Sequence, residues 1–212
     1  MYTYAMPRPD ADQPRLILAS RSPRRRAMLD DAGIAFEVAE GVDDGGLLPG
    51  SVDAEHWVAA LAFLKAWSVA RDLEESAVVL GADTVCAADG PLLGKPADAA
   101  DARAMLGSFI GGTHQVLTGV ALVTPDGRRE LIVDAADVTW GQLDETAIDR
   151  YIDSGDWQDK AGAYNLAERQ ADGWPIECAG DPTTVMGLPM QRLPARLDAW
   201  LAGPLDPTGS VA

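Results

Sequence analysis

The sequence predicts an α/β protein, a mixed and twisted sheet with helices around it and a cleft between two lobes. Two observations carry this. In the first half, short apolar runs such as Leu16-Ile17-Leu18-Ala19 and Ala77-Val78-Val79-Leu80 are separated by segments of helical period. In the second half, Gln115–Thr124 and Arg129–Trp140 are strand-rich and joined by Pro125-Asp126-Gly127, a hairpin signal. With 212 residues the chain has ample length to bury a core.

Each element has its own signal. After the first apolar run, Ser22-Pro23 reads as an N-cap followed by proline at the first helical position, where the missing N–H costs nothing. That helix runs through Met28 and Leu29 to a left-handed stop at Gly33. Ile34, Phe36 and Val38 alternate with Ala35 and Glu37, as in a half-buried strand, and a glycine-rich loop with Asp43 and Asp44 follows. Asp53 caps a helix to about Arg71, with Trp57, Leu61 and Leu64 as its apolar stripe and Lys65 at the border. The run Ala77–Leu80 ends in Gly81-Ala82-Asp83-Thr84, which puts Asp83 at a strand's carboxyl end, where open α/β sheets place their chemistry.

Ala88-Asp89-Gly90 is a turn into Leu92-Leu93-Gly94-Lys95-Pro96, where Pro96 keeps Lys95 extended. Asp98 caps a helix through Leu106, and Gly111-Gly112 breaks the chain before the hairpin. Asp144 caps a helix with Ile148, Tyr151 and Ile152 on one face and Gly155 at its end. Asp159-Lys160-Ala161-Gly162-Ala163-Tyr164 looks like a close-approach loop, with Lys160 placed to pair with Asp159 or Asp156 or to serve a ligand. Pro175–Cys178 suits a strand, Asp181-Pro182 a short helical turn, and the last helix runs through Trp200-Leu201, kinked or restarted at Pro194. The folded domain thus spans residues 15–202, with 1–14 as a flexible extension and 203–212 as a flexible tail.

Charge narrows the function. A net charge of −16 argues against nucleic-acid or anionic-membrane partners, which call for a basic face. Against that background Arg24, Arg25 and Arg26 sit together in the first turn of a helix, at the positive end of its dipole. Cations there are unfavourable by roughly 0.3–1 kcal/mol each. Free N–H groups, Ser20, Ser22 and clustered guanidinium groups are suited to an anion, and a phosphate fits best. Cys86 and Cys178 form no disulfide framework or zinc spacing and are expected as buried thiols. No apolar stretch approaches a membrane span, so the expected location is the cytoplasm. His56, His114 and most tryptophans are expected to be structural.

The remaining chemistry falls into two groups. Arg24, Arg25, Lys65, Lys95 and Lys160 are cations beside glycine, proline or helix-start signals; Asp44 (with Asp43) and Asp83 are carboxylates in a loop or at a strand end. A triphosphate needs cations for its oxygens and carboxylates for the Mg²⁺ it carries. Hydrolysis of a phosphoanhydride further needs an oriented water and stabilisation of the departing pyrophosphate. No Gly-x-x-x-x-Gly-Lys-Ser/Thr loop is present, which counts against a phosphate-releasing NTPase of that type.

Ala19-Ser20-Arg21-Ser22-Pro23-Arg24-Arg25, Gly81-Ala82-Asp83-Thr84, Gly94-Lys95-Pro96, Asp159-Lys160-Ala161-Gly162-Ala163-Tyr164 and Val185-Met186-Gly187-Leu188-Pro189 occur in the order seen in the Maf family, and the chain resembles that family from about Leu16 to Leu201. The family contains nucleoside triphosphate pyrophosphatases, also described as septum-formation inhibitors. The resemblance implies a two-lobed fold like that of the inosine triphosphate pyrophosphatases (Maf/Ham1), a homodimer, dependence on Mg²⁺ or Mn²⁺, and cleavage of an NTP to NMP and pyrophosphate. It makes Asp83 the carboxylate that acts on water and a metal ligand, with Asp44 as a second metal ligand where the family usually has glutamate. It makes Arg24, Arg25, Lys65 and Lys95 phosphate ligands, assisted by Ser20 or Ser22, and puts Thr84 and Arg24 at positions tied to substrate choice.

Family members that prefer dTTP and UTP follow the Asp-Lys-Ala-Gly stretch with Gly-Ile-Gln-Gly. Here the corresponding residues are Asn165-Leu166-Ala167-Glu168, so alanine stands where the glutamine amide would be. Alanine offers a base edge neither donor nor acceptor, while Glu168, one position on, offers an acceptor. The resemblance thus implies the pyrophosphatase chemistry without assigning the base. The alternative function is a nucleotide-sensing regulator of septum formation with little turnover, which would need the cations but not Asp83.

Overall fold

The structure is a computed structural model that describes residues 14–42, 52–74, 76–88 and 92–202. Asp43, Asp44 and the predicted turn at Asp89-Gly90 lie outside the described residues. Among the described residues seven strands form one mixed sheet in the order β2-β1-β3-β5-β6-β7, with the short β4 paired to β3. β1 (Arg15–Ala19) runs parallel to both β2 (Glu37–Ala39) and β3 (Ala77–Ala87). β3, β5 (Thr113–Val123), β6 (Arg129–Trp140) and β7 (Ile176–Ala179) are successively antiparallel, and β4 (Leu92–Leu93) is antiparallel to β3. The mixed α/β class is therefore as the sequence predicts. The β5–β6 hairpin closes where expected, with Gly127 at φ 88°, a conformation that favours glycine, and its N–H bonded to Thr124 O.

Helices cover both faces. On one face, α2 (Ala54–Ala70) lies across β3 and β5. It buries Ala62, Ala66 and Ala70 against Ile17, Val79, Ala121 and Val123. The small side chains are matched by two glycines in the sheet. A Cβ on Gly81 would lie 2.3 Å from Ala62 O, and one on Gly119 would lie 2.4 Å from Val58 O, so the helix backbone rests directly on the strands. The predicted stripe is thereby corrected. Leu61 is buried, but Leu64 is exposed, because the buried stripe runs instead through Val58, Ala62 and Ala66.

On the opposite face, α1 (Pro23–Asp31) contributes Met28 and Leu29, and α7 (Leu193–Leu201) contributes Leu193, Leu197 and Trp200, to a cluster with Leu16, Leu18, Leu80 and Val120. Each fully buried leucine there is worth about 1.5–3 kcal/mol. Pro194 stands in the first turn of α7, where proline starts a helix. A third cluster packs α3 (Ala99–Phe109), α4 (Glu145–Ser154) and α5 (Leu166–Ala171) around Trp140, Trp157, Trp174 and Tyr164. In it His114 stacks on Phe109 at 3.8 Å between ring centroids and bonds to the Tyr164 hydroxyl at 2.9 Å. Burial pushes this imidazole's pKa down to about 4. Cys86 is a buried free thiol, while Cys178 is a partly exposed one.

One further reading is corrected, and one helix has no sequence signal. The strand predicted around Ile34, Phe36 and Val38 shrinks to Glu37–Ala39, with Val38 exposed; Ile34 and Phe36 pack into the core from a connection rather than a strand. The helix α5, capped by Asn165, carries no long apolar period and escapes a reading based on periodicity. Among the described residues no helix is long and apolar enough to cross a membrane.

Candidate active site

The cleft originates in a break of strand pairing. On one edge β3 is bonded to β1 as far as Leu80, and to β4 only from Cys86 onward. Between these points Gly81–Val85 have no strand neighbour on that edge among the described residues. Asp83 therefore sits inside an eleven-residue strand rather than at its end. The expected strand end is the end of parallel pairing, because β1 stops at Ala19 and turns into the loop before α1 while β3 continues along β5. The result is a cavity of about 1010 Å³. Ser20, Ser22, Arg24 and Arg25 line it from the β1–α1 turn, Lys65 from α2, and Asp83 and Thr84 from β3. Lys95 and Lys160 enter from the two loops on the far side. Asp44 alone of the predicted site residues falls outside the described residues.

The two sides of β3 carry different partners. On the α2 side, Lys65 Nζ donates to Asp83 Oδ1 at 2.6 Å, and both side chains are largely buried, 16% and 11% exposed. The close seat of α2 on Gly81 is what delivers Lys65 there, since the helix backbone on either side of it, at Ala62 and Ala66, meets that glycine. On the other side, Thr84 Oγ1 accepts from Arg25 Nη2 at 3.0 Å. Arg25 also donates through Nε to Gly187 O at 3.0 Å and through Nη1 to Ser20 Oγ at 3.4 Å. This guanidinium is built into the wall of the cleft. Gly187 closes α6 (Pro182–Met186) at φ 115°, and a Cβ there would press on Arg25 Nε at 3.1 Å.

The start of α1 is as the sequence implies. Ser22 caps it by accepting from Arg25 N, and Ser22 N donates to Ser20 Oγ at 3.2 Å. Arg24 donates to Asp159 O at 3.1 Å. Burial lowers the Arg24 pKa, partly opposed by the charges of Glu168 and Asp159. The far wall is the segment Asp159–Tyr164, wound into a 3-10 turn at Ala161–Ala163. Gly162 N donates to Gly94 O at 2.9 Å, which ties this segment to the loop bearing Lys95. A Cβ on Gly162 would meet Cys86 Sγ at 2.6 Å, so close approach is required here. Asp159 and Ala163 have positive φ of 58° and 66°, a strained conformation costing about 1–3 kcal/mol per residue.

Lys95 bridges to Asp159 at 3.1 Å across the rim and is well exposed. Lys160 is not on the surface and does not take Asp159 or Asp156; it is 9% exposed and pairs with Glu168. Glu168 is thus a cleft residue, while Ala167, its neighbour on α5, is exposed and does not line the cavity. Sequence reasoning missed Thr118 and Thr184 behind Thr84, because lone threonines carry no spacing signal. It also missed the carbonyl of Gly187, which the glycine inside Val185–Pro189 could have flagged.

The chain is 42% identical over 192 residues to a dTTP/UTP pyrophosphatase of Salinibacter ruber, covering 90% of this chain and 93% of that one. It is 44% identical over 179 residues to a dTTP/UTP pyrophosphatase of Symbiobacterium thermophilum, covering 84% and 90%. A solved HAM1 protein from Coxiella burnetii superposes with a TM-score of 0.47 at 14% identity, covering 88% of this chain and 99% of that one. A family model described as Maf-like protein matches residues 15–200. The chain belongs to the Maf family.

Proposed function

We infer that this protein is a nucleoside triphosphate pyrophosphatase, hydrolysing an NTP to NMP and pyrophosphate. The observation that carries the reading is the Lys65–Asp83 pair facing a cleft ringed by Arg24, Arg25, Lys95 and Lys160. The relatives named dTTP/UTP pyrophosphatase, similar over most of their length, support it. A nucleotide sensor would need the cations but has no use for a carboxylate held at the cleft floor.

In the proposed mechanism the triphosphate lies with its oxygens against the α1 N-terminus and the basic side chains, where charge-assisted bonds are strongest. Ser20 and Ser22 assist at the helix start. Lys65 fixes one oxygen of Asp83, leaving the second directed to a water. That water attacks one phosphorus of the α–β anhydride, the anhydride bond breaks, and the water's proton passes to Asp83. Lys95 stabilises the charge that builds on the departing pyrophosphate, while Arg25 binds the phosphates throughout. Asp159, on the rim, keeps Lys95 in place until phosphate competes for it.

A divalent cation, Mg²⁺ or Mn²⁺, fits this donor set as a passenger on the nucleotide. The described residues contain no group of three His, Cys, Asp or Glu side chains able to hold a metal. One or two carboxylates plus substrate phosphates is the usual way Mg²⁺ is held in such sites. Asp83 would hold it here, with Asp44 as the second carboxylate. When bound, the cation would supply charge neutralisation at the phosphates. We further propose a soluble cytoplasmic homodimer that uses neither nucleic acid nor membrane, with residues 15–202 as one two-lobed domain.

The test is a product assay on purified protein with Mg²⁺ or Mn²⁺ and a panel of dTTP, UTP, CTP, GTP and ITP. Pyrophosphate and orthophosphate are read separately. Pyrophosphate with NMP from any member is expected; orthophosphate with NDP, or no product at all, overturns the reading.

A further inference from the structure

Behind the cleft, three side chains form one row across the sheet. Thr84 on β3 is the register partner of Thr118 on β5, which is in turn the partner of Asp134 on β6. Helix α6 lies over this row and places Thr184 on it. Thr118 and Thr184 are both fully buried, so each hydroxyl must find its partner within the protein.

The direction of each bond follows from its acceptor. A backbone carbonyl can only accept, so the Thr118 hydroxyl donates its one hydrogen to Thr184 O at 2.7 Å. The Thr84–Thr118 contact at 2.9 Å then has one solution, in which Thr84 Oγ1 donates and Thr118 Oγ1 accepts. With its hydrogen committed inward, Thr84 presents only lone pairs outward. One of them takes Arg25 Nη2. The Thr184 hydroxyl is settled the same way, donating to Asp134 Oδ2 at 2.6 Å, while Arg192 holds the other oxygen at 2.9 Å. Asp134 thus anchors α6, which together with its glycine cap supplies two fixed acceptors, Thr184 O for Thr118 and Gly187 O for Arg25.

We propose that Thr118 is a positioning residue for anion binding: by taking the Thr84 hydrogen it locks that hydroxyl as an acceptor and thereby orients the Arg25 guanidinium. Thr118 lies behind Thr84 and reaches Arg25 through it. The inference rests on the assignment of Arg25 to the phosphates. Without Thr118 the Thr84 hydroxyl is free to turn its hydrogen toward Arg25, a donor facing a donor, and the guanidinium loses one of its fixed contacts.

The test uses the full chain and inorganic tripolyphosphate as the probe, with binding measured by calorimetry alongside pyrophosphate release from an NTP. Wild type, Thr118→Val, Thr118→Ser, Thr84→Val and the Thr84→Val/Thr118→Val double variant are compared, with melting temperatures as a check on folding. Valine keeps the shape of threonine and removes the hydroxyl. Thr118→Val is expected to weaken tripolyphosphate binding and raise KM by about tenfold, the worth of one charge-assisted contact. Its kcat is expected to stay within about twofold of wild type. Thr118→Ser is expected to restore both, and Thr118→Val is expected to have no further effect in the Thr84→Val background. Unchanged binding in a folded Thr118→Val, or effects that add in the double variant, would overturn the proposal. Wild type that binds tripolyphosphate with this variant pattern but releases no pyrophosphate would overturn the enzymatic reading while supporting the role of Thr118.

Discussion

The seat of α2 on the sheet makes Gly81→Ala a sharp probe of how the site is held. The added Cβ would lie 2.3 Å from Ala62 O and 2.6 Å from Ala66 N, both backbone atoms of a packed helix. Ordinary contact needs roughly 3.5 Å, so α2 has to retreat by about 1 Å. Overpacking of this kind costs about 1–3 kcal/mol, less about 0.5 kcal/mol regained from replacing glycine in a strand. For a chain of this size that lowers Tm by roughly 1–10 °C. The same displacement carries Lys65 away from Asp83, now 2.6 Å apart. A misplacement of about 1 Å at reacting groups costs on the order of a hundredfold in rate. Calorimetric melting and pyrophosphate release on one preparation read both effects. Gly107→Ala serves as the control, since Gly107 is exposed on α3 and a Cβ there meets nothing within 4 Å. It is expected to gain about 0.5–1 kcal/mol and leave turnover alone. A Gly81→Ala variant with wild-type Tm and wild-type turnover would refute the argument that backbone contact places Lys65.

Other perturbations have equally definite signs. Arg24→Ala is expected to weaken binding of every triphosphate about tenfold or more whatever the base, as seen by calorimetry with a non-hydrolysable analogue; a loss confined to one base would make Arg24 a base reader instead. His114 is held neutral by burial, its pKa near 4 against the ordinary 6.5. The unfolded chain therefore takes up a proton between those values that the folded protein refuses, and stability present above pH 6.5 is lost as pH falls toward 4, by roughly 3 kcal/mol. Urea unfolding at several pH values is expected to show a shallower acid loss for His114→Gln than for wild type, and parallel curves would remove His114 from the account.

Local chemistry made much of this architecture legible in the sequence. Ser22-Pro23, Asp53, Asp98 and Asp144 each cap the helix they were read to cap, because side-chain oxygens accepting from the first turn are a short-range signal. Strand ends were harder. Gly81-Ala82-Asp83-Thr84 looks like a loop because glycine and aspartate disfavour strands, yet here the glycine makes room for α2 and the aspartate faces the cleft. The candidate site was legible as residue types in a familiar order, and those described meet at one cavity. What pairs with what was not. The Lys160–Glu168 pair and the row Thr84–Thr118–Asp134 depend on strand register and on how α5 and α6 pack, which no local pattern encodes.

The most direct test of the central claim is to measure turnover and nucleotide affinity together on Asp83→Asn. Asparagine keeps the shape of the side chain but cannot take a proton from water at neutral pH. Turnover is expected to fall at least about a thousandfold, while affinity for a non-hydrolysable triphosphate stays within about tenfold of wild type, since the loss is confined to the chemical step. A variant that releases pyrophosphate at near-normal kcat would contradict the account and remove Asp83 from the reaction.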